Sequence, residues 1–530
     1  MDKKSHSLVG ITLAGFQVFE KSTYIPLTGL TLLFGPNSAG KSALQDAINL
    51  IREIWKADDY DNLNLYQSHS PVSKLIDRHR RRPSGNEGIQ FDTMKIGFKT
   101  HNADYLRTFF KNGDFVFELN IDSIFFLKAA NMCVFEINLN HPSVPDIRKT
   151  AHIEKSVQDI PDELEIRNDI LIIKHGIHKF RWRGTEKSVR DVQWLEFLVA
   201  IDHDPDPDTL KYKNIASIYE MLGELGVPLK ELLSNIEPDF DLNVVAASRT
   251  VPEAKDLFFT FDANHHECFY NPQAELFWGR DSIAQHITTG NSIYRNLAFS
   301  SLPYLVDEDD EDYYPAVSDL INRVNQALSN HLFLEHGYQV DCEYRTLLST
   351  ENSKLVHQAI SAREAANFSP NNTSYFVNIF LRDNQNRRHL FEDVGSGIGY
   401  VLPVLCAIYD HIGASIHFIQ QPELHLHPAL QAALGDVFIE AREKNSTIVI
   451  ETHSEHLLLR ILKRVRQTHL KVDIAQELKI NAEDVCVLYF DPSPDGTTTV
   501  KRLRVTEDGE FMDRWPRGFF GERDQELLDE

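Results

Sequence analysis

Eight consecutive residues near the amino terminus carry the clearest chemistry in this sequence. They run Gly35-Pro36-Asn37-Ser38-Ala39-Gly40-Lys41-Ser42 and match the pattern G-x-x-x-x-G-K-[ST] at every fixed position. Glycines let the backbone wrap a phosphate closely, and N–H groups at the start of a helix supply partial positive charge. In such a loop Lys41 reaches the β- and γ-phosphates, and Ser42 offers a hydroxyl to Mg²⁺. The motif, with Ala43 after it, therefore predicts an ATP site that uses Mg²⁺.

The segments around this loop predict the elements that a phosphate loop needs. Residues 29–34 are apolar and β-branched, which favours a buried strand, and residues 43–54 carry apolar side chains at helical spacing. From residue 376 onward strand-like and helix-like segments alternate, which predicts a parallel α/β sheet. The predicted strands are 375–381, 416–419 and 447–450, and the predicted helices are 401–412, 428–444 and 454–469. Because both ends of the chain carry α/β segments, we expect one nucleotide domain split by an insertion.

Composition limits the classes of function. The 530 residues carry a formal net charge of −24, so the surface repels nucleic acid and anionic membranes except at local basic patches. The five cysteines are far apart and include no CxxC, which argues against a disulfide framework and suits a reducing compartment. No apolar run reaches 18 residues, and no apolar leader follows Met1. We therefore expect a cytoplasmic protein without a membrane span.

Three later segments complete a recognisable set of motifs. They are Val394-Gly395-Ser396-Gly397, residues 416–428 with Pro-Glu-Leu-His-Leu-His-Pro, and Glu451-Thr452-His453-Ser454. With the phosphate loop they resemble the ABC-type ATPases of the RecF, SMC and OLD group. The last 50 residues, with Asp513-Arg514-Trp515-Pro516, resemble the module called DUF3696. Within this group the chain is most similar to the ATPase subunits of Septu anti-phage systems, including retron-associated versions.

The resemblance implies a fold and a division of the chain. It implies an α/β fold, a split ABC-type P-loop ATPase domain with a mixed α+β insertion. The expected divisions are the phosphate-loop part (1–75), a strand-rich insertion with basic segments (76–240), a mostly helical middle section (241–375), the second part of the ATPase domain (376–475) and the DUF3696-like module (476–530).

The resemblance also implies roles for individual residues. Gly395, Ser396 and Gly397 correspond to the signature motif, which contacts the γ-phosphate bound by another subunit. The bare N–H groups and the hydroxyl of this segment agree with that role. His453 follows an apolar strand and corresponds to the histidine that senses the γ-phosphate.

The strand at 416–419 departs from the family pattern. The family places two acids after it, the first for Mg²⁺ and the second to polarise the attacking water, whereas this chain has Gln420-Gln421. An amide binds Mg²⁺ weakly and cannot accept a proton. Gln420 stands at the metal position with Ser42, and Gln421 at the catalytic position, so we expect slow turnover. Glu423 is an alternative catalytic carboxylate. His425 and His427 are expected at a subunit interface; a zinc site is the alternative.

Two basic clusters stand out against the acidic composition. One contains Arg78, Arg80, Arg81 and Arg82, and the other contains Lys179, Arg181 and Arg183 with aromatic neighbours. Either cluster suits a nucleic-acid strand or an acidic partner protein. Ser248-Arg249-Thr250 follows an apolar segment and resembles the arginine-bearing strand of related ATPases.

Three hypotheses for function remain open on the sequence. The first is a regulatory ATPase of an anti-phage complex, in which ATP closes a homodimer or higher oligomer and controls a separate nuclease. The second is a RecF-like repair ATPase acting on DNA, and the third is a scaffold with structural ATP. No nuclease motif is visible, so the resemblance implies an HNH-type nuclease subunit as partner and, in retron-associated versions, a reverse transcriptase with its RNA–DNA hybrid. The paired glutamines and the acidic charge favour the first or third hypothesis.

Overall fold

The computed structural model describes most of both α/β ends and part of the middle section. The described residues are 8–57, 92–100, 103–110, 115–121, 124–129, 132–138, 163–167, 170–176, 241–249, 251, 258–262, 320–334, 337–348, 373–409, 415–442 and 446–516. Both predicted basic clusters, at 78–82 and 179–183, lie outside these residues.

Strands and helices follow one another along the described residues. The strands are β1 (Leu8–Ala14), β2 (Thr23–Pro26), β3 (Leu30–Phe34), β4 (Thr93–Thr100), β5 (Ala103–Phe110), β6 (Phe115–Ile121), β7 (Ile124–Ala129), β8 (Met132–Asn138), β9 (Glu163–Arg167), β10 (Ile170–Gly176), β11 (Asp241–Val245), β12 (Phe258–Asp262), β13 (Gln339–Leu348), β14 (Thr373–Arg382), β15 (Arg388–His389), β16 (Ser415–Gln420), β17 (Thr447–Glu451), β18 (Val485–Pro492) and β19 (Thr498–Leu503). The α-helices are α1 (Lys41–Ala57), α2 (Leu320–Ala327), α3 (Ser396–Tyr409), α4 (Pro428–Glu440) and α5 (Glu455–His469). A π-helical turn covers Leu328–Leu332, and 3₁₀ turns cover Gln476–Leu478 and Ala482–Asp484.

The described residues fall into two compact units. The first draws on residues 1–27, 35–239 and 489–501, and the second on 28–34, 240–488 and 502–530. The first unit contains an antiparallel sheet in the order β2-β1-β4-β5-β6-β7-β8-β10-β9. Phe98 of β4 stacks on Tyr105 of β5, with ring centroids 4.7 Å apart. The phosphate-loop helix α1 contacts this sheet at β4.

A six-stranded sheet positions the nucleotide motifs. Its order is β11-β16-β17-β3-β18-β19, and β11, β16, β17 and β3 run parallel. All five residues of β3 and all five of β17 are buried, as expected for strands covered on both faces. The prediction of a parallel α/β sheet built from both ends of the chain is confirmed. The carboxyl ends of β3, β16 and β17 therefore lie at the same edge of this sheet.

The predicted elements of the second half are present, with shifted ends. Helix α3 begins at Ser396, ahead of the apolar run from Val401 that predicted it. Ile398 N–H donates to the Gly395 carbonyl at 3.3 Å at this start. Helix α4 ends at Glu440, before the predicted Lys444.

The described residues of the middle section contain strands as well as helix. Within 241–375, which the sequence predicts to be mostly helical, they comprise β11, β12, β13 and the start of β14, beside α2. Strands β12, β14 and β13 form an antiparallel sheet in that order, and β15 pairs with β14. The alternation of polar and apolar residues along 339–345 is the period of a strand. Among the described helices, none combines the length and hydropathy that crossing a membrane requires.

Candidate nucleotide site

The phosphate loop connects β3 to α1, and Lys41 is folded into it. Lys41 is 3% exposed, and its Nζ donates to the carbonyls of Gly35 at 2.9 Å and Pro36 at 3.0 Å. Ser42 is exposed at the start of the helix, and the first turn of α1 contains no acidic residue. A helix start without acids favours an anion. The loop thus fits a phosphate group with an ammonium beside it.

Both glycines of the motif are required by the backbone and by its neighbours. Gly35 has a φ of 136°, and a Cβ there would lie 2.5 Å from the Phe490 carbonyl oxygen. Gly40 has a φ of 91°, and its Cβ would lie 2.4 Å from Val18 Cγ2. Residues with side chains rarely adopt such φ values. The close packing explains why the loop has glycine at these two positions.

Residues distant in sequence hold the phosphate loop in place. Thr498 is buried; its hydroxyl donates to the Ala39 carbonyl at 2.9 Å, and its N–H donates to the Val18 carbonyl at 2.9 Å. Gln17 Nε2 donates to Asp46 of α1 at 2.8 Å. The turn around Val18 and strand β19 thus brace the loop from two sides.

The paired glutamines lie at the carboxyl end of β16 in the second unit. Gln420 Oε1 accepts a hydrogen bond from the Ala247 N–H at 3.1 Å. Gln421 has a φ of 44°, and its N–H donates to the Glu451 carbonyl at 2.7 Å. The single side-chain oxygen of Gln420, the residue expected at the metal position, is thus already hydrogen-bonded to the backbone after β11. This arrangement fits Mg²⁺ coordination poorly compared with a carboxylate.

Arg249 joins three segments at this edge of the sheet. Its Nε donates to the Tyr400 carbonyl at 2.8 Å, Nη1 to the Gln420 carbonyl at 2.9 Å, and Nη2 to the Gln421 carbonyl at 2.8 Å. Nη1 also lies 3.3 Å from the Ala246 carbonyl oxygen. A planar guanidinium suits this convergence, since it offers several donors in fixed directions. From the sequence, Arg249 could be identified only as a residue that follows an apolar segment. No local pattern predicts which carbonyls it binds.

Glu423 is a buried carboxyl that reaches the segment after β17. It is 8% exposed, and its Oε1 accepts a hydrogen bond from the His453 N–H at 2.8 Å. Its Oε2 is buried without a hydrogen-bond partner among the described residues. Burial raises the pKa of this carboxyl above its usual value, and hydrogen bonds from His453 and Thr452 offset only part of that effect. Glu423 is thus the carboxyl closest in sequence to the glutamines, and its buried surroundings raise its pKa.

His453 lies in a short segment bonded on both sides. The preceding Thr452 N–H donates to the Leu33 carbonyl of β3 at 3.2 Å. The following Ser454 caps α5, since its Oγ accepts from the Leu457 N–H at 3.1 Å and donates to Gln431 Oε1 at 2.7 Å. The side chain of His453 itself is exposed. The geometry agrees with a histidine presented at the carboxyl edge of the sheet.

The signature segment opens α3 close to the turn after β16. Gly395 and Ser396 are exposed, and a Cβ at Gly395 would meet nothing within 4 Å. A Cβ at Gly397 would lie 3.2 Å from Leu426 Cδ2. One turn along the helix, Tyr400 stacks on His425 with ring centroids 4.2 Å apart. The second unit thus brings together Gln420, Gln421, Glu423, His453 and the signature segment.

A zinc site at His425 and His427 is not supported by the geometry. His427 Nδ1 accepts a hydrogen bond from the Ala429 N–H at 3.3 Å and so caps α4. Within the described part of the chain, no three His, Cys, Asp or Glu side chains are grouped to hold a metal ion. For Mg²⁺ the exposed hydroxyl of Ser42 fits, whereas the Gln420 amide is engaged as described above.

Two family models match the chain. Residues 232–460 match the model described as "AAA domain, putative AbiEii toxin, Type IV TA system". Residues 480–529 match "Protein of unknown function (DUF3696)". The first match contains the signature segment, the paired glutamines and His453 but not the phosphate loop, which agrees with a domain split along the chain. A search of the curated proteins found no match.

Similar solved structures include three SMC heads. The SmcHead bound to the C-winged helix domain of ScpA is 10% identical, with 94% of this chain and 98% of that chain covered and a TM-score of 0.40. The Smc head domain with an extended coiled coil bound to the C-terminal domain of ScpA, from Pyrococcus furiosus, is 10% identical with 99% and 98% covered (TM-score 0.36). The SMC head domain from Thermotoga maritima is 9% identical with 94% and 100% covered (TM-score 0.35).

TM-scores below 0.5 do not show that this chain shares the fold of the SMC heads. The fold assignment therefore depends on the strand order of the sheet and on the phosphate loop. The parallel sheet, the phosphate loop that follows β3 and the matched ATPase family agree with one another. The chain therefore has an α/β P-loop ATPase fold, in which residues 232–460 are similar to AAA domains and residues 480–529 are similar to the DUF3696 module.

Proposed function

We propose that this chain is the ATP-binding regulatory subunit of an anti-phage complex, in which slowly hydrolysed ATP closes a homodimer and controls a separate nuclease. The observation that carries the proposal is the pair of amides, Gln420 and Gln421, at the end of β16. A bound nucleotide that is hydrolysed slowly stabilises the closed state that binds it, so it acts as a clamp between subunits and not as a source of energy.

ATP binding depends on the phosphate loop. Its backbone N–H groups bind phosphate oxygens, Lys41 supplies positive charge, and Ser42 offers its hydroxyl to Mg²⁺. Bound Mg²⁺ would neutralise phosphate charge. Since Lys41 already lies inside the loop, little reorganisation is needed before it contacts a phosphate.

Slow hydrolysis follows from the residues after β16. Gln421 cannot accept a proton from water, and Gln420 carries no charge for a metal ion. Glu423 is the remaining carboxyl of this turn; burial raises its pKa, and its Oε1 is already engaged by the His453 N–H. His453, exposed after β17, takes the role of sensing the γ-phosphate.

Dimer closure is inferred from the signature segment. Ser396 and Gly395 are exposed at the start of α3, where N–H groups without intrahelical partners favour an anion. A second copy that presents its bound ATP to this helix start would be held by the nucleotide. The division into five segments proposed from the sequence follows the same scheme, with residues 1–75 and 376–475 forming the ATPase domain.

The defence role is supported by the two family matches and the sequence resemblance alone. The matched AAA model carries a toxin–antitoxin description, and the DUF3696 match agrees with the resemblance to Septu ATPase subunits. By that resemblance the partner is an HNH-type nuclease, joined in retron-associated systems by a reverse transcriptase and its RNA–DNA hybrid. The basic clusters at 78–82 and 179–183 are the proposed contacts for nucleic acid or partner.

The decisive experiment measures steady-state ATP hydrolysis by the purified chain and identifies retained nucleotide by chromatography. We expect retained ATP with hydrolysis near background, and loss of the nucleotide in Lys41→Ala. The double variant Gln420→Asp, Gln421→Glu should raise hydrolysis by about 10²-fold or more. Gln385→Glu, the same chemical change on the exposed turn between β14 and β15, is the control and should change nothing.

Rapid hydrolysis by the native chain would overturn the clamp, and its loss in Glu423→Gln would assign catalysis to Glu423. The defence role is tested separately by phage plating on cells that carry the chain with its neighbouring genes. Protection should disappear with Lys41→Ala; equal plating with and without the wild-type genes would refute the role.

A further inference from the structure

Residues 504–512 form a tight hairpin within the DUF3696 match. Thr506 N–H donates to the Glu510 carbonyl at 2.8 Å, and Gly509 N–H donates to the Thr506 carbonyl at 3.0 Å. Met512 N–H donates to the Arg504 carbonyl at 3.0 Å, which closes the hairpin. Trp515 follows three residues later, and we call residues 504–515 the DUF3696 hairpin. The module thus contributes a compact, hydrogen-bonded structure rather than an extended tail.

One end of the DUF3696 hairpin packs on the strand that leads into the phosphate loop. The Trp515 ring meets the Phe34 ring edge to face, with centroids 5.3 Å apart and an interplanar angle of 88°. The Phe511 ring supports Trp515 from the hairpin itself at 5.1 Å. Phe34 is fully buried, ends β3 and is joined by one peptide bond to Gly35. An aromatic pair of this geometry stabilises the contact beyond what the burial of apolar area supplies.

The other end of the DUF3696 hairpin packs on the helix that follows His453. Gly509 has a φ of 70°, and a Cβ there would lie 2.3 Å from the Leu462 carbonyl oxygen of α5. Glu507 lies 3.1 Å from His469 at the end of the same helix. Helix α5 begins at Glu455, immediately after the Ser454 cap and His453. The hairpin therefore contacts both β3 and α5.

We propose that the DUF3696 hairpin positions the nucleotide-binding segments, and that Trp515 is its positioning residue. The proposal rests on the proposed ATP binding at the phosphate loop. By packing on Phe34, Trp515 fixes the position of the end of β3 and so the position of Gly35, the first residue of the phosphate loop. By docking Gly509 on α5, the same hairpin is linked to the segment that carries His453. Because such coupling is reciprocal, ATP binding changes the environment of Trp515 as Trp515 changes the affinity for ATP.

The test compares ATP affinity in hairpin variants of the full chain. Trp515→Ala should weaken ATP binding by about fivefold or more. Trp515→Phe should restore most of the affinity, because an aromatic ring still meets Phe34. Met512→Ala is the matched control, since Met512 lies on the same hairpin but is 62% exposed, and it should bind ATP as the wild type does.

A spectroscopic measurement reports the coupling directly. Trp515 is one of five tryptophans, so an ATP-induced change in emission is assigned to it if the change is lost in Trp515→Phe. Gly509→Ala should lower ATP affinity with Trp515 intact. If Trp515→Ala does not fold, Trp515→Phe and Gly509→Ala decide through emission and affinity.

The two proposals fail in different ways. If Lys41→Ala binds ATP as well as the wild type, the proposed ATP site is wrong. If Lys41→Ala loses ATP but Gly509→Ala and Trp515→Ala bind it with wild-type affinity, only the role of the hairpin is refuted. An ATP-induced emission change that persists in Trp515→Phe would also contradict it.

Discussion

The carboxylate of Glu423 accepts a hydrogen bond from the backbone N–H of His453 at 2.8 Å. This contact joins the turn after β16 to the segment after β17, two neighbouring parallel strands. Glu423, the alternative catalytic carboxylate of the sequence analysis, therefore also holds the segment of His453 in position. A change in the charge of Glu423 acts on both.

Replacing Glu423 with glutamine should stabilise the protein at neutral pH. Burial raises the pKa of Glu423 in the folded state, so its contribution to stability is complete below the pKa of the unfolded chain and is lost as pH rises through the folded value. Glutamine keeps the acceptor for the His453 N–H and carries no charge at any pH. The unfolding free energy of Glu423→Gln relative to wild type should therefore rise as the pH increases above about 4, the pKa of an ordinary glutamate. Urea unfolding at several pH values measures it.

The control for that series is Glu477→Gln. Glu477 is exposed on a 3₁₀ turn, so its replacement should give a difference that does not follow pH in the same way. Parallel pH curves for Glu423→Gln and Glu477→Gln would contradict the buried-carboxyl interpretation.

Loss of Arg249 should loosen the turn after β16. Its guanidinium donates to carbonyls of Tyr400, Gln420 and Gln421, and alanine would leave them without that donor. We expect Arg249→Ala to lower the unfolding free energy by about 1–3 kcal/mol. Arg249→Lys should recover less than half of this, because an ammonium cannot reproduce the planar fork. Arg502→Lys, at an exposed position of β19, should be neutral in the same urea titration; full rescue by Arg249→Lys would refute the role of the fork.

The pairing of α4 with α5 should depend on Asp436. Its side chain is 5% exposed and binds Arg460 and Arg464 of α5. Burial opposes its ionisation, but these two arginines prevail and lower its pKa. Its stabilisation is therefore present above the pKa of the unfolded chain and is lost on acidification through the lower folded value. Since both arginines are partly exposed, Asp436→Asn should cost about 2 kcal/mol at neutral pH, measured by denaturant unfolding. An equal cost at acidic and neutral pH would contradict the ionic origin.

Alanine at Gly40 should impair the phosphate loop. The φ of 91° and the Val18 contact both oppose a Cβ, at a strain of about 1–3 kcal/mol. ATP affinity, measured by equilibrium binding, should fall. Gly29→Ala is the matched control, since a Cβ there meets nothing within 4 Å. Wild-type affinity in Gly40→Ala would show that the loop adapts.

The sequence predicts the elements and the local motif better than it predicts the contacts between segments. A contiguous run of residues encodes each of the phosphate loop and the strands β3, β16 and β17. The glycine motif and the apolar runs therefore suffice to predict where they lie. The partners of Arg249 lie at 246, 400, 420 and 421, and those of Trp515 at 34 and 511. No spacing rule joins positions so far apart, and only the folded sheet brings them together. The apolar pattern does not mark the start of helix α3, because the first turn begins with Ser396 and Gly397 rather than with apolar residues.

Strand β3 has consequences for how the protein is made. Four of its five buried residues, Leu30 to Leu33, pair with β17, which begins only at Thr447. At roughly 5–20 residues per second, a ribosome needs tens of seconds to produce that partner after Phe34 has left the tunnel. Throughout this interval the nascent chain carries an unpaired apolar strand beside an unformed phosphate loop. We therefore expect nucleotide binding to follow the synthesis of β17, and we expect a chain cut short in its middle to aggregate through the exposed strand.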